Sequence, residues 1–352
     1  MEVNVNESGQ MVTKPLLRDE ISEQLRHLAY ARRSAKPLRI ESERELARRF
    51  NVSRLSLRAA IKSLVDEGLL FQKQGSGTYI LPRTTIETIH LLEASDIKPY
   101  DPFYSEFLAE LSRFIAGESM HLKVIHPEGE KVEPSGAPLI IVGLCKSRLL
   151  IELKKNYRYI VSTQSYPDSL EITQVYFDDY RIGVTAARIL NELGHRRVVH
   201  LSGPAIYPSA LERKRGFLDG ARATRLSVEV IEGKMNWSSG YALGNDVVRL
   251  VRSNGRPSAI FAANDWMAIG LMQRLMENGV RIPQDVSVVG CDDIHLASEV
   301  NPCLATFRWG MRYLVQEVFK LINALVLEDT SPHKRTLLPA EFISRESLAG
   351  GG

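Results

Sequence analysis

Residues 41–80 read ESERELARRFNVSRLSLRAAIKSLVDEGLLFQKQGSGTYI, and this stretch decides the N-terminal fold. Ser42 suits a helix N-cap, with Glu43 and Glu45 in the first turn, where the helix dipole favours acids. The helix so opened should bury Leu46, Ala47 and Phe50 and stop at Asn51. Ser53 caps a following helix that runs to about Glu67 and ends at Gly68. On it Leu57, Ile61, Leu64 and Val65 form an apolar stripe, while Arg54, Arg58 and Lys62 recur every four residues as a separate basic one. Two short strands follow over 69–73 and 78–81. Gln74-Gly75-Ser76-Gly77 joins them, a sequence suited to a hairpin tip.

Outward from this stretch, Leu17, Ile21, Leu25 and Leu28 recur at helical spacing between Leu16 and about Arg32. Residues 1–14 are polar and aperiodic and read as a disordered tail. Helix, helix, turn, helix and hairpin over 15–82 make a winged helix-turn-helix. Its third helix would enter a DNA major groove with its N-terminal residues at base edges. Arginine serves there because its planar fork takes two acceptors on guanine or grips phosphate. Taken alone, a basic stripe is also what the solvated face of a small helical domain carries.

The whole chain has 352 residues, 44% hydrophobic and 25% charged, which fits two or three soluble globular domains. No apolar run approaches the roughly 20 residues of a membrane helix. The opening MEVNVNESGQ lacks the basic and apolar regions of a secretory signal, so a cytoplasmic location is expected. Cys145, Cys291 and Cys303 show no CxxC spacing, which argues against zinc and for free thiols. Residues 1–83 hold 15 Lys and Arg against 10 Asp and Glu, and the remainder holds 30 against 32. The basic excess therefore sits in the segment expected to meet nucleic acid.

After a proline-marked linker at 83–87, short β-branched runs alternate with helical segments from 88 to 347. Strands are expected over 88–92, 122–125, 139–142, 159–162, 198–201, 228–231, 260–263 and 286–289. Helices are expected over 103–116, 181–193, 208–223, 239–252, 265–278 and 311–327. The alternation implies an α/β fold of parallel sheets, more naturally two lobes than one wide sheet. Residues 348–352 read as a flexible tail. There is no GxSxG, phosphate-binding GxxxxGK[ST] or HExxH motif. His195 reads as a turn residue, and Asp292-Asp293 lacks a third carboxylate for a metal. No catalytic residue, cofactor or metal is implied.

The stretch 41–80 resembles the GntR-type DNA-binding domain: SERELA, then VSR with a further Arg four residues on, L..EGL and G.GT. The resemblance covers about 65 residues and places Arg44, Ser53, Arg54, Ser56 and Arg58 against DNA, with Gln74 and Gly75 of the wing at the adjacent groove or backbone. Glu41 departs from the proline common in that family. Further on, FAANDWMAIGLMQRLMENGVRIPQDVSVVGCDD resembles the LacI/GalR-type effector domain, a two-lobed periplasmic-binding-protein-like fold. Asp178 with Gly183, LGHRRVVHLSGP, ERKRGF and the closing LLPAEFISRES fit the same pattern. The match is specific from about Tyr176 to Phe307 and looser over 88–170.

That second resemblance implies effector contacts at Asp178, Arg213, Trp237, Asn264 and Asp292; Tyr104, beyond the first strand, is the expected first-lobe contact, and Trp266 and Trp309 are further candidates for the cleft. Carboxylates would accept from hydroxyls, Arg and Asn would donate, and an indole would cover the apolar face of a sugar ring. Asp265 is expected to cap the next helix while Asn264 faces the cleft. Cys291, where the family usually carries an aromatic residue, is expected to alter the pocket. The combined architecture resembles that of arabinose-type repressors. It implies a homodimeric repressor of double-stranded operator DNA with a small sugar effector and no membrane partner. The rivals are an effector-independent repressor, a solute-binding receptor, against which the missing signal and the basic head count, and an enzyme, against which the missing motifs count.

Overall fold

The computed structural model describes residues 4–5, 11–12, 17–32, 34, 37–66, 69–73, 75–80, 86–95, 97, 101–118, 120–126, 134–328 and 335–351. The chain forms two compact units, Met1–Ile86 and Glu87–Gly352.

In the first unit, β1 (Asn4–Val5) pairs antiparallel with β2 (Met11–Val12). This corrects the reading of 1–14 as wholly unstructured: β-branched Val5 and Val12 each lie in a paired strand. Then come α1 (Leu17–Arg32), β3 (Leu38–Arg39), α2 (Glu43–Arg49), α3 (Arg54–Asp66), β4 (Leu70–Lys73) and β5 (Gly77–Ile80). Ser42 and Glu45 form a reciprocal capping box: the Glu45 amide donates to Ser42 Oγ at 3.3 Å and the Ser42 amide to Glu45 Oε2 at 2.8 Å. Two orphan amides of α2 are thereby satisfied. Ser53 Oγ accepts from the Ser56 amide at 3.1 Å and caps the start of α3 without a reciprocal bond. Ile21, Leu25, Leu46, Leu57, Ile61, Leu64 and Ile80 close the core. The wing has three strands in the order β3-β5-β4 rather than two. A two-residue strand such as β3 is too short to leave a period in sequence.

The second unit has two lobes. The first holds β6 (Thr88–Glu93), α4 (Pro102–Gly117), β7 (His121–Ile125), β8 (Leu139–Val142), α5 (Ser147–Asn156), β9 (Ile160–Ser162) and β10 (Thr173–Phe177). The second holds α6 (Asp179–Glu192), β11 (Arg197–Ser202), α7 (Pro208–Thr224), β12 (Ser227–Glu232), α8 (Trp237–Val251), β13 (Ala259–Ala262), α9 (Asp265–Glu277), β14 (Ser287–Val289), α10 (Leu296–Glu299) and β15 (Thr306–Arg308). The chain then returns: α11 (Met311–Glu328) packs on α4 through stacked Phe319 and Phe114, β16 (Arg335–Leu338) joins the first sheet, and β17 (Glu341–Ile343) pairs with β15. Both main sheets are parallel, ordered β16-β10-β9-β8-β6-β7 and β12-β11-β13-β14. The chain thus crosses between lobes three times.

β10 and α5 are elements the sequence reading left out. In β10 the buried Gln174 carries a polar side chain on a core strand. Its amide accepts from the Tyr166 N–H at 2.9 Å and donates to the Tyr166 carbonyl at 3.2 Å, so the burial cost is offset. The end of the chain is also corrected, because residues 348–351 are docked rather than loose. The Gly351 amide donates to the Leu193 carbonyl at 2.8 Å, and His195 Nε2 donates to the Ala349 carbonyl at 3.0 Å. The second nitrogen of His195 meets Ser258 Oγ at 2.8 Å, which gives this buried side chain a structural place. No helix among the described residues is long and apolar enough to cross a membrane.

α6 and α7 approach through glycines. A Cβ on Gly216 would lie 2.0 Å from the Tyr180 carbonyl oxygen, and one on Gly183 would lie 2.2 Å from that of Arg213. Gly216→Ala should therefore force the helices apart and destabilise the second unit by about 1–3 kcal/mol. Chemical denaturation followed by tryptophan fluorescence checks this, since Trp237, Trp266 and Trp309 all lie in that unit. An unchanged midpoint would contradict the packing argument.

Candidate functional site

Loops at the carboxyl ends of strands in both lobes enclose a cavity of about 710 Å³. Ligands of open α/β sheets sit in this position. The first lobe supplies Asp101, Phe103 and Tyr104 at the start of α4, Gln164 after β9, and Arg335 of β16. Asp178 follows β10 at the crossing into the second lobe, which supplies Arg213 from α7, Met235 after β12, Asn264 after β13, Asp292 after β14 and Trp309 after β15.

Arg213 is wholly buried. Its Nε and one Nη donate to Asp179 Oδ1 at 3.1 and 2.5 Å, and its other Nη donates to the Ala263 carbonyl. One N–H on each Nη is then unused by any described residue. The guanidinium lies 5.3 Å from the Trp309 ring centroid, and Trp309 packs on Phe103 and Phe177. Trp309 Nε1 is buried and donates to no described residue.

Asp292 is the other decisive wall residue. It is 8% exposed, sits at φ 125°, and its carboxylate accepts no hydrogen bond from a described residue. Burial pushes its carboxyl well above the usual range, opposed by the charge of Arg213 and reinforced by Asp265, Asp101 and Asp179. The neighbouring Asp293, at φ 52°, holds Arg308 and Arg345 at 2.6 Å each. Two successive non-glycine residues thus adopt positive φ beside the cavity. Such strain persists only where surrounding contacts over-determine it, and the two arginine contacts do so here.

Of the sequence-derived effector residues, Asp178, Arg213, Asn264, Asp292 and Tyr104 come together on this cavity. Asp178 Oδ1 also caps α6 by accepting from the Arg181 amide at 3.0 Å. Asn264 both lines the cavity and caps α9: Oδ1 accepts from the Met267 amide and Nδ2 donates to the Met235 carbonyl, each at 3.0 Å. Asp265 is not the cap. It is fully buried, accepting from Thr306 Oγ1 at 2.6 Å and the Ile294 amide at 3.1 Å.

Trp237 is not a cavity wall. It opens α8, stacks on Tyr241 at 5.0 Å and packs against the hydrophobic core of the second lobe, as does Trp266. Its carbonyl meets α9 where Gly270 leaves room. Met235, at φ 54° in the preceding turn, takes the place at the wall. Cys291 is fully buried among Phe261 and Phe307 rather than lining the pocket. Of the wall residues that sequence reading missed, Phe103 lies in the first turn of α4, before its apolar stripe is established, while Gln164 follows β9 in a loop and Arg335 lies on the edge strand β16. Among the described residues no group of three His, Cys, Asp or Glu could hold a metal.

In the first unit, Arg54 and Arg44 form no ion pair with a described residue, and Arg54 lies on the exposed face of α3. Arg58 Nε donates to Glu43 Oε2 at 2.6 Å, tying α3 to the start of α2. Ser53 and Ser56 pair their hydroxyls at 2.9 Å. Gly75 occupies the wing turn at φ 73°, and Gln74 lies outside the described residues. Glu41 engages Arg49 at 2.8 Å and Arg32 at 3.3 Å, so the acid found in place of the expected proline is neutralised within the head.

Residues 17–80 match the family described as bacterial regulatory proteins, gntR family, and residues 187–348 match a periplasmic binding protein-like domain. Two separate segments of the chain are thus similar to a GntR-type head and to a periplasmic-binding-protein-like domain. Its relatives include the HTH-type transcriptional repressor PurR of Vibrio atlanticus, 30% identical over 186 residues, 52% of this chain and 54% of that one. The HTH-type transcriptional regulator AscG of Escherichia coli is 32% identical over 178 residues, 49% of this chain and 52% of that one. The chain spans about half the length of these curated relatives. Among solved structures, a ribose-bound LacI family transcriptional regulator from Enterococcus faecium superposes with a TM-score of 0.64 at 22% identity, covering 75% of this chain and all of that one. The complex of the transcriptional regulator CelR with cellobiose gives 0.66 at 20% identity, covering 86% of this chain and 95% of that one. At such identities these likenesses establish the fold.

Burial raises the Asp265 carboxyl from 3.8 to about 7, against the lowering effect of its bonds from Thr306 and Ile294. Between those pH values the folded chain holds a proton that the unfolded chain has released, so this group's contribution to stability is present at low pH and lost as pH rises toward 7. Asp265→Asn should flatten that part of the stability–pH curve. Denaturation midpoints of both proteins between pH 4 and 8 check this, and identical slopes would contradict it.

Proposed function

We propose that this protein is a transcriptional repressor whose GntR head binds operator DNA and whose two-lobed domain binds a small polyhydroxylated effector. The observation that carries the reading is the buried Asp292 carboxylate, which has no protein donor and faces a cavity floored by Arg213. A buried carboxyl group beside a half-used guanidinium matches vicinal hydroxyls, since its carbonyl oxygen accepts in either protonation state while the guanidinium donates. Phe103, Tyr104 and Trp309 offer apolar and aromatic surface to a ring. Relatives that carry the name of transcriptional repressors or regulators, and neighbours whose structures contain ribose or cellobiose, support the same class.

Two heads from a cytoplasmic homodimer would engage two half-sites of a near-palindrome. Effector binding would change the lobes' relation and shift operator affinity by about 5–150-fold. Nothing in this mechanism requires catalysis, a cofactor or a metal.

The test measures affinity of the full chain for DNA upstream of its own gene, at fixed salt, with and without a panel of pentoses and hexoses. A sugar-dependent change is expected; tight binding that no sugar alters would remove the effector half of the reading. Arg54→Ala should weaken operator binding by about 1–3 kcal/mol if it reads a base, checked by titration against labelled duplex. Asp292→Asn should abolish the sugar response while DNA affinity stays intact. Trp237→Leu should leave the sugar affinity within about twofold, since that side chain lies outside the cavity; isothermal titration separates the two variants.

A further inference from the structure

Leu55 is 80% exposed, more than any other large apolar side chain among the described residues. It is the second residue of α3, between Arg54 and Ser56. The core positions of this helix are filled by others: Leu57, Ala60, Ile61 and Leu64 are at most 1% exposed. Leu55, Arg58, Ala59 and Lys62 instead share the opposite face at helical spacing, and all four are exposed. The solvent face of a surface helix normally carries polar residues. Here two of the four are apolar, set among cations.

The basic residues around Leu55 identify what covers it. Arg54 is unpaired with any described residue, Arg58 is held at a fixed angle by Glu43, and Ser53 with Ser56 pins the helix start. A polyanion is drawn to such a face. Within a DNA major groove the base edges offer polar atoms and one apolar feature, the C5 methyl of thymine. A leucine at the groove-facing end of the helix has no hydrogen-bonding use, whereas it can shield that methyl from water. We infer that Leu55 reads a thymine methyl group and so sets the sequence preference at one position of the bound element. This inference rests on the DNA-binding reading of α3 and adds a residue and a base to it.

The test uses duplex selected from a random-sequence pool by the full-length protein. Each thymine is then replaced singly by deoxyuridine, which deletes the methyl and keeps every hydrogen-bonding group. At one thymine of the recognised element the replacement should weaken binding about three- to fivefold, the scale of one buried methyl. In Leu55→Ala that penalty should vanish, and the variant should lose a similar factor on thymine DNA while matching the native protein on uracil DNA. The exposure of Leu55 and the helix preference of alanine keep the variant folded. A native protein indifferent to every replacement, or a penalty that persists in Leu55→Ala, would overturn the assignment and leave DNA binding in place. A pool from which no sequence is enriched would instead remove the DNA-binding reading itself, and this inference with it.

Discussion

The arrangement of the cavity between the lobes hangs on one buried ion pair. Arg213 and Asp179 lie at the floor of the cleft, and Asp179 belongs to the first turn of α6 while Arg213 belongs to α7. Burying both charges carries a large desolvation cost, which is repaid only by close geometry and by satisfying the remaining polar atoms. The 2.5 Å contact and the additional bond to the Ala263 carbonyl meet that demand. They are possible because Gly183 and Gly216 let the two helices touch backbone to backbone. The pair also ties α6 and α7 to the end of β13, so the guanidinium is presented to the cavity in one orientation. The direction in which Arg213 faces the cavity is thus set by the helix contact behind it.

Much of this architecture could be read from the residues. Runs such as Leu139–Val142, buried at every position, announce themselves as core strands of a parallel sheet. The N-caps Ser42 and Ser53 and the stripes of the head are equally visible, because their causes lie close together in sequence. Elements whose stability comes from afar were not legible. β10 looks too polar for a core strand until Gln174 is seen bonded to Tyr166, and β15 and β17 are three residues each, stabilised by pairing across more than thirty residues.

At the site, the motifs marked some cavity-lining positions and missed others. Asp292, Arg213 and Asn264 meet on the cavity as their motifs implied, but Trp237 does not. A turn at Met235 with positive φ reverses the chain between β12 and α8, and that reversal decides which neighbouring side chain enters the cleft. Helical periodicity begins only after the turn and carries no trace of it. The contact of Glu106 Oε1 with the His295 amide, at 2.8 Å, joins α4 of the first lobe to the second across 189 positions. No local pattern announces such a contact.

The strand β16 brings a consequence for biosynthesis. It is the last member of the first sheet, pairs along β10 over four residues, and is encoded after almost the whole second lobe. Until residues 335–338 leave the ribosome, β10 has an open edge of unpaired amides and carbonyls, the kind of edge that recruits foreign strands. The head contains every strand of its own sheet within residues 38–80. The nascent chain therefore carries a complete head sheet while the first lobe still waits for its final strand from beyond the second lobe.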